Sequence, residues 1–280
     1  MKLSFLITAI FTLGMCASSY AQDGWQEATP DGVTDWTNGY VEATGQGSSR
    51  YMGNRVQEEL MAKQAARTTA QARLLEIIKG IRLTGLTTIG TLGSGDTRAA
   101  TRIKGTLRGA RQISEQVTWH EDKTSRRGET VLAEVTLRVC ITPTCQATTQ
   151  NLTGASLNLP QKTDPSAKPL STNTETTAII IDLEQALYLP ALAPEIIDEK
   201  DKTIYSQDSV DTETSTNTGL IHYAKDITKA KKMTISGANP LIIKAVRVSP
   251  DNRIVLSESD GEKIVALDAL KQGHLIVALD

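Results

Sequence analysis

The chain has few aromatic residues and little net charge, and both shortages narrow its functional class. Aromatic residues make up 4% of the 280 residues, with 2 Phe and 3 Trp. A surface that stacks the bases of a nucleic acid needs more rings than this. The net charge of −2 is also too small for a general attraction to nucleic acid. We therefore expect no nucleic-acid partner, whereas 39% hydrophobic and 22% charged residues are typical of a folded protein.

The sequence also lacks the common signatures of catalysis. It contains no Gly-x-Ser-x-Gly, His-Glu-x-x-His or Gly-x-x-x-x-Gly-Lys-Ser/Thr motif. The glycine-rich stretch that ends at Gly95 is followed by Asp96, whose charge repels phosphate, so it is interpreted as a loop. Each of the three histidines, His120, His222 and His274, stands without a second ligand or a nucleophile at motif spacing and is interpreted as structural. We expect no enzyme, no cofactor and no metal, and a hydrolase without a recognisable motif is the least favoured alternative.

The N-terminus is typical of an export signal. Lys2 precedes an apolar run over residues 3–16, and Ser19 and Ala21 form the small-x-small pattern at which signal peptidase cuts. About 14 apolar residues are too few for a helix that crosses a bilayer, which needs about 20. The sequence predicts a signal peptide over residues 1–21 and a periplasmic or outer-membrane-associated protein without a transmembrane helix. A lipid anchor at Cys16 is the alternative, disfavoured because Met15 stands where a small residue is preferred.

The other two cysteines, Cys140 and Cys145, are five residues apart with Pro143 between them. Proline presets a turn that brings the two thiols together, and an exported chain reaches an oxidising compartment. The sequence therefore predicts a disulfide between Cys140 and Cys145.

Composition divides the chain into two domains. Residues 144–177 are rich in Thr, Ser, Asn, Gln and Pro and lack apolar periodicity, which is typical of a solvated linker. We predict an N-terminal domain over residues 22–143 and a C-terminal domain over residues 178–280. The fold class expected for both is α+β, with an antiparallel or mixed sheet and helices packed on it.

Hydrophobic periodicity predicts the elements of the first domain. A short strand over residues 39–47 is expected to end at its glycines, and a helix follows from Asn54 to about Lys79. Strict alternation predicts a long β-hairpin with strands around residues 113–119 and 131–141. The helix has a narrow apolar stripe that allows close packing on a sheet, formed by Ala62, Ala66, Ala70, Leu74, Ile77 and Ile78.

The second domain is expected to open with a strand over residues 178–182, followed by short strands at residues 196–197 and 204–205. A helix over residues 223–232 and a strand over residues 241–248 follow. Ser259 stands three residues before Glu262, which is a capping-box spacing and predicts a final helix over residues 260–270. The apolar strand at residues 275–279 is expected inside the fold.

A cluster of basic residues between Thr97 and Gln112, where no acidic residue occurs, is the most conspicuous charged feature. Helical spacing would place several of them on one face, where they could contact acidic lipid, a cell-wall polymer or an acidic protein surface. The favoured interpretation is the solvated face of an amphipathic helix. We call this set the basic ridge: Arg98, Arg102, Lys104, Arg108 and Arg111.

Several segments along the chain together carry a resemblance to a known family. In the first domain they are residues 39–45, 62–83, 105–113 and 133–141, and in the second residues 177–182, 189–206, 219–232 and 239–249. These segments resemble the lipoprotein-20 family, which includes flagellar assembly lipoproteins of the FlgP type. The resemblance implies a non-enzymatic envelope protein, since some members assemble into rings or discs around the flagellar base at the outer membrane.

Two functional hypotheses follow from the residues and the resemblance. The first is an assembly or structural subunit of the envelope, a homo-oligomer or a partner of other envelope proteins, with a link to flagellar assembly. The second is a periplasmic binding module for a cell-wall polymer, an acidic lipid or a small ligand, which would use the basic ridge or a cleft between the domains.

Overall fold

The computed structural model describes residues 24–91, 109–143, 145, 176–210 and 212–280. The predicted signal peptide, Cys16, almost all of the predicted linker and four of the five ridge residues lie outside these residues. The first domain contains β1 (Gln26–Thr29), β2 (Gly32–Asp35), β3 (Tyr40–Ser48), α1 (Arg55–Gly80), β4 (Arg82–Thr84), β5 (Thr87–Thr88), β6 (Arg111–Glu121) and β7 (Glu129–Cys140).

One antiparallel sheet and one long helix build the first domain. The sheet has the order β1-β2-β3-β7-β6, and α1 packs mainly on β3 and β7. The side chain of Asn54 accepts a hydrogen bond from the Val56 backbone N–H and so caps the start of α1, as the sequence predicts. All six residues of the predicted apolar stripe on α1 are buried. The predicted hairpin forms from β6 and β7.

The predicted strand forms as β3, shifted by one residue at each end, but Gly45 and Gly47 lie inside it and do not terminate it. Gly45 and Gly47 lie within β3, opposite Val135 and Ala133 of β7. A Cβ atom at Gly45 would stand 2.2 Å from the carbonyl oxygen of Ala66, and one at Gly47 would stand 2.3 Å from the Ala66 backbone nitrogen. These glycines are needed because the backbones of β3 and α1 approach too closely for any side chain between them.

The second domain contains two four-stranded sheets and short helices. Its elements are β8 (Ala178–Asp182), β9 (Ile196–Asp198), β10 (Thr203–Tyr205), α2 (Thr212–Asn217), β11 (His222–Ala224), α3 (Ile227–Lys232), β12 (Pro240–Lys244), β13 (Arg247–Val248), β14 (Ile254–Leu256), α4 (Glu258–Val265), α5 (Asp268–Lys271) and β15 (Leu275–Ala278).

The sheet β11-β15-β8-β12 is parallel at every strand pair, whereas the sheet β10-β9-β14-β13 is mixed. Every residue of β8, β11 and β15 is buried. Burial on both faces explains why these strands are almost continuously apolar, since neither face meets water. The C-terminal strand β15 lies inside this sheet, as predicted, and the α+β class with two domains is confirmed.

Two helix predictions in the second domain are corrected. Tyr223 belongs to the buried strand β11, and α3 begins only after Asp226, whose side chain accepts a hydrogen bond from the Lys229 backbone N–H. The predicted final helix is split into α4 and α5. The residue that caps α4 is Ser257, which accepts from the Asp260 backbone N–H, so the helix starts two residues earlier than the Ser259 spacing predicts.

The two domains pack against each other and share one connected hydrophobic core. The hairpin β4–β5, at the end of α1, makes the backbone contact: the N–H groups of Leu192 and Ala193 donate to the carbonyl oxygens of Arg82 and Leu83 over 3.0 and 2.7 Å. The rings of Trp36 and Tyr223 meet edge to face, with centroids 5.9 Å apart. None of the helices in the described residues has the length and apolarity that crossing a membrane requires.

Candidate functional site

A cavity of about 870 Å³ lies at the amino ends of the parallel strands, beside the first domain. We call it the histidine cavity, because His222 and His274 both line it. Its volume falls in the range of small-ligand sites. The other lining residues are Thr37, Asn38, Thr176, Thr177, Asn217, Thr218, Met233, Thr234, Ile235, Gly237, Asp268, Ala269 and Gln272.

Two glycine turns bring the histidines to this edge of the sheet. Gly219 and Gly273 both have positive φ, 93° and 70°, and each stands shortly before one of the histidines. A Cβ atom at Gly273 would lie 2.5 Å from the carbonyl oxygen of Gly219, so the two turns touch through their backbones. Glycine is required at Gly273 by both its φ and this contact, and the turns place the two histidines on neighbouring strands.

The imidazole of His222 is buried, with a relative exposure of 9% for the residue, and its Nε2 atom has no hydrogen-bond partner among the described residues. The pKa of His222 is lowered to about 4, mainly by burial and to a lesser extent by the nearby His274, while a hydrogen bond to the Thr218 backbone opposes the shift. A bond that raises the pKa of an imidazole is one that the ring donates. Nδ1 therefore carries the proton, and Nε2 presents a lone pair.

His274 has the same arrangement. Its Nδ1 atom lies 3.0 Å from the carbonyl oxygen of Thr177, and since a carbonyl oxygen only accepts, the ring donates this bond. The backbone of His274 continues the sheet, because its carbonyl oxygen accepts from the Ile179 N–H over 2.9 Å. When the ring is neutral, its Nε2 atom also presents a lone pair. Two imidazoles with the same free acceptor thus line one cavity.

The remaining wall combines apolar surface with polar side chains that are almost all uncharged. Threonine, asparagine and glutamine side chains supply hydroxyl and amide groups, and Asp268 is the single acidic residue among the lining residues. Asp268 forms an ion pair with Lys271 over 3.3 Å. No group of three or more His, Cys, Asp or Glu residues in the described parts of the chain is placed to hold a metal ion. The wall can therefore hydrogen-bond a ligand, and the two imidazoles are its strongest ligating groups.

Sequence reasoning treats the histidines separately and misses this pair. His222 and His274 are far apart in sequence, and only the parallel pairing of β11 with β15 makes them neighbours. One sequence signal could have pointed to them: each histidine follows a glycine within three residues and stands in or just before an apolar run. Even so, the order of the strands is needed to join them. The third histidine, His120, lies on β6 of the first domain and contacts the Thr118 hydroxyl over 2.9 Å.

A second surface with functional potential lies where α1 meets β6. β6 is the last strand of its sheet, so its outer edge has no partner strand among the described residues. Ion pairing of Lys63 with Glu115 over 2.6 Å fixes α1 beside this strand. Large apolar side chains on and just before α1 are exposed, and we call them the α1 patch: Tyr51, Met52, Val56, Leu60 and Met61.

The predicted disulfide is present. Cys140 ends β7 and is bonded to Cys145, with 5.5 Å between their Cα atoms. Cys140 also pairs in register with Tyr40 of β3, so the bond ties the segment after β7 to the central part of the first sheet.

Of the basic ridge, only Arg111 is among the described residues; Arg98, Arg102, Lys104 and Arg108 lie outside them. Arg111 is the first residue of β6 and pairs in register with Arg138 of β7. It is therefore in a strand, and the helical spacing predicted for the ridge is wrong at this residue. The period of the apolar residues changes from helical to alternating here, close to the bulge between Gln112 and Ser114.

The described elements define a two-domain α+β protein with a cavity at the amino ends of a parallel sheet. A family model described as Treponema pallidum Tp0624, second domain, matches residues 178–280, a little over one third of the chain. The match begins at the first residue of β8. No curated protein matches the chain. The family match lies in the second domain and does not test the resemblance to the lipoprotein-20 family, which stays a prediction.

Proposed function

We propose that this protein is a non-enzymatic, exported protein of the bacterial envelope that acts as an assembly subunit and associates with further copies of itself. The observations that carry the proposal are the exposed α1 patch and the open edge of β6 in the same domain. Val56 and Leu60 are one helical turn apart and 64% and 60% exposed. A group of exposed apolar side chains and an unpaired strand edge are each typical of a contact surface.

A second copy of the chain fits this surface because the charges around it are mixed in sign. Arg55, Lys63 and Arg67 stand on α1 near Glu115 and Glu129 of the hairpin. Two identical surfaces of this kind meet without strong net repulsion, and the whole chain has a net charge of only −2. An edge strand also supplies free N–H and C=O groups to an extended strand of a neighbour.

The experiment compares the oligomeric state of two double variants. Val56→Lys with Leu60→Lys places charges on the α1 patch, whereas Thr68→Lys with Gln71→Lys adds the same charges at exposed polar positions two or more turns further along the same helix. Light scattering after size-exclusion chromatography should show oligomers for the parent and the control, and monomers for the first variant. A parent that stays monomeric at high concentration contradicts the proposal, and so does a patch variant that associates like the parent.

Export and the flagellar link are tested in cells. The resemblance to the lipoprotein-20 family and the predicted signal peptide support a location in the periplasm or at the outer membrane. Fractionation should recover the chain from the envelope without its first 21 residues, and loss of the gene should impair swimming. Recovery from the cytoplasm with an intact N-terminus contradicts export, and normal swimming of the deletion strain contradicts the flagellar role alone.

A further inference from the structure

We propose that the histidine cavity binds a first-row transition-metal ion through the Nε2 atoms of His222 and His274. This site is separate from the α1 patch and does not depend on assembly. The carrying observation is the buried Nε2 atom of His222, a residue that lines an open cavity, because this atom has no partner within the described residues. A buried polar atom without a partner destabilises a fold unless something else binds it.

Both rings are oriented as metal-binding histidines are. Each uses Nδ1 on a backbone carbonyl, that of Thr218 for His222 and that of Thr177 for His274. In metalloproteins such a bond fixes the tautomer and the plane of the ring and leaves Nε2 for the metal. The two carbonyl groups belong to different loops, yet each holds its imidazole in the same way, with Nδ1 bonded and Nε2 left without a partner in the described part of the chain. The site is thus prepared before any ion arrives.

The register of the sheet sets a suitable separation. His222 pairs with Ile276, and His274 stands two residues before Ile276, immediately ahead of β15, where its carbonyl oxygen still pairs with β8. Strands about 4.8 Å apart with a rise of about 3.3 Å per residue place the two Cα atoms roughly 8 Å apart. Because side chains two residues apart share a face of the sheet, both imidazoles stand on the same face. Two imidazoles at this distance can meet at one ion.

The donor set selects the class of metal. Neutral imidazole favours zinc, copper and nickel, whereas magnesium and calcium require oxygen ligands. Met233 lines the same cavity and offers a thioether, a soft ligand that favours copper in its reduced state. Since no third His, Cys, Asp or Glu in the described residues completes the site, water or a ligand from solution fills the other positions. We therefore expect an ion with open coordination positions.

The test uses the full chain without a histidine tag, in a Cys16→Ser background that leaves only the two disulfide-bonded cysteines. Zinc titrated calorimetrically should bind at one ion per chain. The chain contains only three histidines, so three matched variants cover them: His222→Ala, His274→Ala and His120→Ala. The first two should each raise the dissociation constant at least about tenfold, as losses around metal sites do, and His120→Ala should leave it unchanged.

A spectroscopic measurement on the parent protein tests the same two ligands without relying on variants that could fail to fold. In long-range proton–nitrogen spectra of protein with nitrogen-15 histidine, zinc should move two Nε2 resonances and leave both resonances of His120 in place. Bound copper(II) should show two equivalent nitrogen couplings in its electron paramagnetic resonance spectrum. Absence of binding, binding that survives in the His222→Ala, His274→Ala double variant, or movement of the His120 resonances alone would overturn the proposal.

Discussion

The two domains reach a dense core by opposite means. In the first, small residues bring a helix and a strand together, as Gly45 and Gly47 of β3 meet Ala66 and Ala70 of α1 without intervening side chains. In the second, large branched residues fill the strands of a parallel sheet that are buried on both faces, with Ile179, Ile180 and Ile181 in succession on β8. The first core should therefore tolerate no added volume, whereas the second should tolerate no loss of it.

The largest effect is expected from loss of volume in the parallel sheet. Ile180 is fully buried and packs with Ala224, Ala230 and Ile276 under α3. Ile180→Ala should lower the free energy of unfolding by about 2–5 kcal/mol, because it removes apolar contacts and leaves a cavity. Ile242→Ala is the matched control on the neighbouring strand β12, since Ile242 is exposed. Equal denaturation midpoints for the two variants would contradict the burial of this face.

The next effect comes from added volume in the first domain. Ala66→Leu or Ala70→Leu should destabilise by about 1–3 kcal/mol, because the contact with β3 has no room for further methylene groups. As a control, Gln64→Leu places the same leucine side chain at an exposed position of the same helix. It should change stability by less than about 0.5 kcal/mol. If the alanine variants melt like the parent, α1 does not pack closely on the sheet.

Local patterns predicted much of this fold. The alanine stripe of α1 and the alternation of β7 report burial directly, because each records one face of one element. The function of Gly45 and Gly47 could not be inferred in the same way, since it depends on the backbone of α1, some twenty residues away. A glycine in isolation indicates an end of a strand as readily as a close approach.

The candidate site was less predictable than the fold. The disulfide joins residues five positions apart and follows from local spacing. The pairing of His222 with His274 instead requires the order β11-β15-β8-β12, which brings together strands distant in sequence. The contact of the domains through the hairpin β4–β5 has the same cause, since it joins Arg82 to Leu192 by a backbone hydrogen bond and to the Pro190 carbonyl oxygen through the Arg82 side chain. Backbone bonds of this kind leave no signature in side-chain periodicity.

Loss of the disulfide, which lies in the first domain, should lower stability less than the core substitutions do. Cys140→Ser together with Cys145→Ser should destabilise the chain by at most about 2 kcal/mol, because the closed loop is short. The intact protein should be about 2 Da lighter before reduction than after it. Free thiols in protein from the oxidising compartment would contradict the bond, and a much larger loss of stability would show that it holds more than the end of β7.

The smallest effect on stability is expected from charge reversals in the basic ridge. These variants test whether the first domain contacts a partner through charge and not through apolar packing. Arg111 stands opposite Arg138, which is itself paired with Glu42, so an acid at position 111 meets a cation across the strands. Arg111→Glu combined with Arg108→Glu should move stability by less than about 0.5 kcal/mol. The same should hold for Arg98→Glu with Arg102→Glu.

These paired charge reversals are informative only when melting and envelope fractionation are measured on the same variants. If the ridge meets an acidic partner, association with the envelope should weaken while the melting temperature stays close to that of the parent, and added salt should weaken the parent in the same way. Loss of both association and stability would mean that these arginines pack or pair within the fold. Unchanged association would instead leave the ridge as an ordinary solvated surface, and contact between copies would then depend on the apolar α1 patch.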